Sequence, residues 1–138
     1  MNSKFQLAGC VILDTKGRIL LLHRETAKRV QWETPGGKVE PGESEKQAAV
    51  REVKEKLGVD VKISKVLGRK RFLEEETTME YVWMKAKIVK GDPQILEPDK
   101  FDEFKYFDWE ELKGMQGELS LNTMNLVGEY FKGKIKIK

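Results

Sequence analysis

Residues 37–59 read GKVEPGESEKQAAVREVKEKLGV, a glycine-bounded loop running into a helix-forming segment. Ser44 and, three positions on, Gln47 have the spacing of a capping box, which predicts a helix from Glu45 to about Leu57 with Gly58 as its C-terminal cap. Ala49, Val53 and Leu57 then form a stripe that should face a core. Glu52, Glu55 and Lys56 project together from a different face, with Arg51 among them and Glu43 just ahead of the helix. Carboxylates on one turn offer the hard oxygen ligands that magnesium takes, an ion usually bound through one or two carboxylates plus substrate phosphates. The Thr34-Pro35-Gly36-Gly37 turn before the helix has no bulk at its glycines, so its backbone can approach a ligand and offer a carbonyl. By itself the helix also fits a solvated face, on which Glu52 with Lys56, or Arg51 with Glu55, would contribute about 0.2–0.5 kcal/mol per pair.

The offsets of the glycines, Glu43, Arg51-Glu52 and Gly58 are not explained by a solvated face. The segment resembles the Nudix box, whose fixed positions are matched by Gly37, Glu43, Arg51, Glu52, Val53, Glu55, Gly58 and Val59. Lys56 departs from it, standing where the family has its last glutamate. The resemblance implies that Glu43 and Arg51 brace the loop against the helix. It also implies that the Gly37 carbonyl, Glu52 and Glu55 hold Mg2+, for which Mn2+ can substitute, with Glu55 the more critical carboxylate. Trp32 to Glu40, with its aromatic residue and Pro-Gly-Gly, looks like the approach to the box in MutT-like members. Asp102 to Phe107 followed by Glu110-Glu111-Leu112 is similar to the family's acidic residue, short aromatic strand and Glu-Leu turn. In many members a loop glutamate there reaches the metal, which makes Glu103 the candidate, with Asp102 and Glu97 as runners-up. Lys56 removes ligand oxygens and adds a cation that repels magnesium, so a smaller metal cluster is expected; alternatively its ammonium meets a substrate phosphate.

At 138 residues the chain reads as one domain over 1–138, long enough to bury about two-thirds of the surface it exposes when unfolded. Charged residues at 36% and hydrophobic ones at 39% describe a globular protein. Met1 to Leu7 lacks the apolar run of a signal peptide and no stretch is long enough to span a bilayer, so the cytoplasm is the expected location. The single cysteine, Cys10, lies in an apolar run and reads as a small buried hydrophobe. His23 is the only histidine, which excludes a polyhistidine zinc site; it reads as a strand-end residue facing the pocket. A net charge of +3 suits nucleic acid or a free polyphosphate equally, and no aromatic-basic interleaving marks an RNA module. The basic cluster Lys132–Lys138 reads as a solvated tail or an edge strand.

Along the chain, 5–13 and 18–24 read as strands joined through a tight reversal at Asp14-Thr15-Lys16-Gly17, and 25–31 as a polar loop. Residues 59–66 and 69–73 read as strands, and Glu74-Glu75-Glu76 as a charged turn before a strand over 77–89 that is apolar on both faces. Gly91-Asp92-Pro93 breaks the pattern. A short strand over 104–107, a helical turn over 109–112 and a final helix over 121–131, with Met124, Val127 and Phe131 on one side, complete the chain. This order suits an α/β/α sandwich with a mixed sheet between helices, which is also the Nudix fold that the resemblance implies over essentially the whole chain.

The activity implied is metal-dependent hydrolysis of a nucleoside diphosphate linked to another moiety. The region after the box has neither the proline of ADP-ribose-cleaving members nor the tyrosine of those acting on dinucleoside polyphosphates. Elimination favours a nucleoside triphosphate, cleaved to monophosphate and pyrophosphate. Arg24, Trp32, Lys38 and Lys56 are the candidate substrate contacts, and Phe72 and Trp83 further aromatics that could stack on a base or belong to the core. The alternatives are a weakened nucleotide-binding or regulatory module, and a hydrolase of ADP-ribose, another sugar nucleotide or an RNA 5′ end. A nucleotide is the expected partner, with no membrane, and the chain is expected to act as a monomer or homodimer.

Overall fold

In a computed structural model, which describes residues 4–138, the elements follow in the order β1 (Lys4–Ile12), β2 (Ile19–Glu25), β3 (Val30–Glu33), β4 (Gly36–Lys38), α1 (Glu45–Leu57), β5 (Asp60–Glu74), β6 (Thr77–Lys90), β7 (Phe101–Phe107), α2 (Trp109–Lys113) and α3 (Leu121–Phe131). Met1 to Ser3, the start of the segment without a signal-peptide pattern, lie outside the described residues. The strands form two sheets. One is mixed, in the order β4-β1-β6-β5, with β1 parallel to β6; the other is antiparallel, in the order β3-β2-β7.

The alternation of apolar side chains along the strands separates two cores. Ala8, Cys10, Ile12, Leu20, Leu22, Val82, Met84 and Ala86 pack with Ala48, Ala49, Val53 and Leu57 of α1. Val11, Ile19, Leu21, Tyr81, Trp83 and Phe107 point the other way, onto Trp109, Leu112, Leu126 and Val127. Strands with both faces covered account for the double apolar pattern of β6, and the layers are those of an α/β/α sandwich. Full burial of each Val or Leu stabilises the fold by roughly 1.5–3 kcal/mol. Burial also pushes the Cys10 thiol up to about 12, which suits an inert core residue.

α1 runs as its local signals require. The Ser44 hydroxyl accepts from the Gln47 amide at 3.0 Å, the Gln47 side chain accepts from the Ser44 amide at 2.8 Å, and Gly58 adopts the left-handed φ of 71°. The segment 91–100 then docks on the helix end. The amides of Gln94 and Leu96 donate to the carbonyls of Leu57 and Lys56, satisfying acceptors that a helix terminus leaves free.

Several expectations are corrected. β1 and β2 are not a hairpin: the Asp14–Gly17 turn carries the chain from the mixed sheet to the antiparallel one, leaving one bridge between Leu13 and Ile19. The mixed sheet is therefore accompanied by a separate antiparallel one. The two strands read over 59–73 are one strand, β5, with register shifts that absorb Ser64 and Leu67. β3 takes the end of the polar loop, and β7 starts at Phe101. On α3 the buried residues are Asn122, Thr123, Leu126 and Val127, whereas Met124 is exposed. The C-terminal tail is neither free nor a strand: Ile135 is buried against Gly68 and Trp83, and Lys85 Nζ donates to the Ile137 carbonyl at 2.6 Å.

Ser44→Ala removes the hydroxyl that caps α1 and should lower stability by about 1 kcal/mol. A fall in the urea midpoint at constant m-value is the expected readout; an unchanged midpoint would show that the cap contributes nothing.

Candidate active site

Arg51 is the junction of the site. Its Nε and Nη2 donate to the two oxygens of Glu43 at 2.7 and 2.9 Å, Nη2 also reaches the Lys38 carbonyl at 3.0 Å, and Nη1 donates to Glu52 at 2.9 Å. Longer contacts of 3.3 Å join Nη1 to Glu55. One planar fork thus ties the loop after β4 to consecutive turns of α1. The Arg51 guanidinium, with the Glu40 amide, holds the Glu43 carboxyl down at about 2, and Glu43 in turn raises Arg51 above its ordinary range.

Glu52 lies on the other side of this junction and is almost buried. Its Oε2 accepts from Lys56 Nζ at 2.8 Å while Oε1 accepts from Arg51. Gly37 presses its backbone against that carboxylate: a Cβ there would lie 2.5 Å from the Glu52 Cδ. A Cβ on Gly36 would meet the Tyr81 hydroxyl instead. Each glycine of the Pro-Gly-Gly turn therefore abuts a different neighbour, and at Gly36 the backbone carbonyl of Ala8, 2.6 Å from a Cβ built there, leaves no room for a side chain. Glu97, brought in by the segment docked on the end of α1, places Oε1 3.8 Å from Lys56 Nζ, and that buried oxygen has no hydrogen-bond partner. Glu55 is half exposed.

A cleft of about 610 Å³ adjoins this edge. Gly36, Gly37 and Lys38 form one wall, Arg24, Arg29, Gln31 and Glu33 another, and Phe72, Glu74 and Met79 of the β5–β6 hairpin a third. Arg24 is held in a two-pronged pair with Glu33 at 2.8 and 3.0 Å, its guanidinium 4.7 Å above the Phe101 ring. Lys38 Nζ rests 3.8 Å from the centre of the Phe5 ring. Arg29 reaches Glu74 at 3.0 Å, joining the loop before β3 to the tip of the hairpin. Deeper in, Tyr81, Thr34 and Asn122 form a buried polar chain: Asn122 Nδ2 donates to Thr34 Oγ1 at 3.1 Å, and Asn122 Oδ1 accepts from Trp83 Nε1 at 2.9 Å.

Among the candidates named from the sequence, Gly37, Glu43, Arg51, Glu52 and Glu55 come together, and Arg24 and Lys38 line the cleft. Lys56 joins the carboxylates but not the cleft lining. Trp32 does not line the cleft; it packs between His23 and Phe107, with ring centres 4.7 and 4.8 Å away. His23 likewise faces away and pairs with Asp102 at 2.7 Å. Trp83 is core. Glu103 sits exposed on β7 opposite His23, whereas Glu97, the runner-up, reaches the Lys56–Glu52 pair. The reason is an irregularity in the pairing of β7 with β2: the register shift between His23 and Arg24 leaves Asp102 as an extra residue between Phe101 and Glu103, so Phe101 is buried while Asp102 and Glu103 are both exposed. Glu33, Asn122 and Tyr81 were missed, and only the position of Glu33 beside the Pro-Gly-Gly turn could have signalled one of them.

The donor set fits magnesium or manganese. Glu55, Glu52 and the Gly37 backbone offer hard oxygens, and the close approach of Gly37 to Glu52 leaves no side chain between them. Such an ion, when bound, neutralises phosphate charge and lowers the pKa of a bound water.

Because Glu43 is depressed from 4.5 to about 2, it contributes stability above pH 4.5 that is lost as the pH falls through about 2. Glu43→Gln should flatten the thermal-stability profile within that window, and an unchanged acid slope would show that the Arg51 pair is not populated in solution.

Comparison with known proteins agrees with this geometry. The family model described as NUDIX domain matches residues 5–124. The chain is 53% identical over 104 residues, 75% of its length and 56% of the relative's, to a protein of Bacillus subtilis (strain 168) named putative 8-oxo-dGTP diphosphatase YtkD. It is 28% identical over 127 residues, 78% of its length and 77% of the relative's, to an RNA pyrophosphohydrolase of Erythrobacter litoralis (strain HTCC2594). The crystal structure of a MutT protein from Methanosarcina mazei Go1 matches with a TM-score of 0.84 at 25% identity, covering 98% of each chain. The chain spans about half the length of several curated relatives it matches, between 44% and 56%. With the box assembled on α1, the sandwich around it and the family model spanning most of its length, the chain belongs to the Nudix hydrolase family and is MutT-like.

Proposed function

We propose that the chain hydrolyses a nucleoside triphosphate to the monophosphate and pyrophosphate, with Mg2+ or Mn2+ as cofactor. The observation that carries this reading is that Gly37, which lines the cleft, abuts the Glu52 carboxylate, with Glu55 joined to the same Arg51. A nucleotide lying in the cleft presents its phosphates to the carboxylates of α1. Relatives bear the names 8-oxo-dGTP diphosphatase and CTP pyrophosphohydrolase, and the nucleotides in those names are triphosphates.

The residues divide the work by chemistry. Arg24, Lys28, Arg29 and Lys38 bring positive charge to the cleft and neutralise a polyphosphate. Leu7, Phe72 and Met79 offer an apolar wall for a base, while Glu33 and Asn122 supply polar groups that discriminate among bases. Half-exposed Glu55 is positioned to orient the attacking water, with Arg51 steadying its carboxylate. Glu43 and Arg51 act by holding loop and helix in register.

A second reading, cleavage at an RNA 5′ end, is favoured by relatives named RNA pyrophosphohydrolase and by the basic residues at the cleft. A regulatory module that binds nucleotide without turnover, and hydrolysis of ADP-ribose or another sugar nucleotide, are the remaining alternatives. Among the described residues no helix is long and apolar enough to cross a membrane, and a free nucleotide substrate suits a cytoplasmic site of action.

A panel of triphosphates, sugar nucleotides, dinucleotides and 5′-triphosphorylated RNA, incubated with magnesium or manganese, should yield monophosphate and pyrophosphate from a free triphosphate. A thermal shift without product would identify a binder, and preferential RNA cleavage would establish the second reading. Glu55→Gln should lower kcat at least about tenfold, equivalent to roughly 1.4 kcal/mol in barrier. Phe72→Ala should raise KM and leave kcat nearly unchanged; equal effects on both would remove Phe72 from the base wall.

A further inference from the structure

We propose that the Lys56 ammonium is a covalently supplied counter-ion occupying the place of an additional divalent ion between Glu52 and Glu97, so that metal is taken on the Glu55 side alone. The proposal rests on the metal-dependent reading above and specifies how this chain's own site is populated.

Lys56 Nζ lies 2.8 Å from Glu52 Oε2 and 3.8 Å from Glu97 Oε1, with only 10% of its side chain exposed. A buried ammonium is unfavourable unless paired, and a buried carboxylate pair is unfavourable unless a cation lies between its members. Here the two requirements meet. An ammonium has three donors and no acceptor, and the groups it faces are carboxylates and the Phe101 ring, whose centre is 5.5 Å away. The Glu97 oxygen that otherwise lacks a hydrogen-bond partner is the one facing Lys56.

The alternative use of Lys56, as a contact for a substrate phosphate, fails on placement, because the side chain is buried and its ammonium is turned to Glu52 and Glu97. Glu52 is engaged on both oxygens, by Arg51 and by Lys56. Glu55 is half exposed and makes only 3.3 Å contacts with Arg51, so its oxygens are the ones available to an incoming ion. The segment that brings Glu97 is anchored through the carbonyls of Lys56 and Leu57.

Lys56→Glu places a negative charge between Glu52 and Glu97, and Lys56→Gln removes the charge in a side chain one atom shorter that still carries an N–H donor. Manganese bound to each protein would be counted by the loss of the free-ion electron paramagnetic resonance signal, and melting temperature measured in EDTA and in excess magnesium. Lys56→Glu should bind one more manganese ion than wild type, melt at least about 5 °C lower in EDTA, and recover more on adding magnesium than wild type gains. Lys56→Gln should bind no extra ion and stay destabilised with or without metal. Equal ion counts for wild type and Lys56→Glu, or an unchanged melting temperature for Lys56→Gln, would overturn the proposal. If Lys56→Glu does not fold in either condition, the Lys56→Gln melting temperatures decide. Absence of turnover on every nucleotide would instead overturn the functional reading, since the ion counts do not depend on substrate.

Discussion

The bidentate grip of Arg51 on Glu43 is the constraint from which the rest of the site follows. The same guanidinium reaches the Lys38 carbonyl behind it and Glu52 and Glu55 beside it. A loop that leaves a sheet edge and enters a helix has many routes; this fork selects one, because a rigid planar donor satisfies several acceptors only in one arrangement. With the loop held, Gly37, a residue of the cleft wall, lies against the Glu52 carboxylate.

A second constraint comes from the opposite end of α1. Its terminal carbonyls are capped by backbone amides of the segment leading to β7, which fixes that segment against the helix end. The docking brings Glu97 toward Lys56 and lets Phe101 cover both the ammonium and the Arg24 guanidinium. Charges that look like surface pairs on a helical wheel are thereby enclosed. Enclosure changes their meaning, because a pair shielded from water is little screened by salt, and losing either partner leaves an uncompensated buried charge.

Much of the candidate site was legible because it is local. The capping box, the Gly58 cap, the core stripe and the Glu43–Arg51 pairing depend on side chains within a few turns of one another, and each appears where the spacing placed it. The candidates that failed depend on partners far along the chain. Trp32 beside the glycine turn reads as a base-stacking residue, yet β3 pairs with β2 so that its ring packs on His23 and Phe107. Glu103 and Glu97 are comparable as acidic residues near one strand; the register shift at Asp102 and the capping of α1 decide between them. The β1–β2 turn has hairpin chemistry, and only the demand for coverage on both faces assigns its strands to different sheets.

By itself the sequence determined the helix that carries the carboxylates, the glycine turn ahead of it, the family and the layered α/β architecture, since each is written in short-range spacing or in alternation of period two. The tertiary structure alone decided that Lys56 is enclosed rather than exposed, that Glu97 rather than Glu103 is its neighbour, and that Phe72 rather than Trp32 faces the cleft. Burial and long-range pairing depend on which surfaces meet when layers close on one another, and a linear pattern does not encode that choice residue by residue.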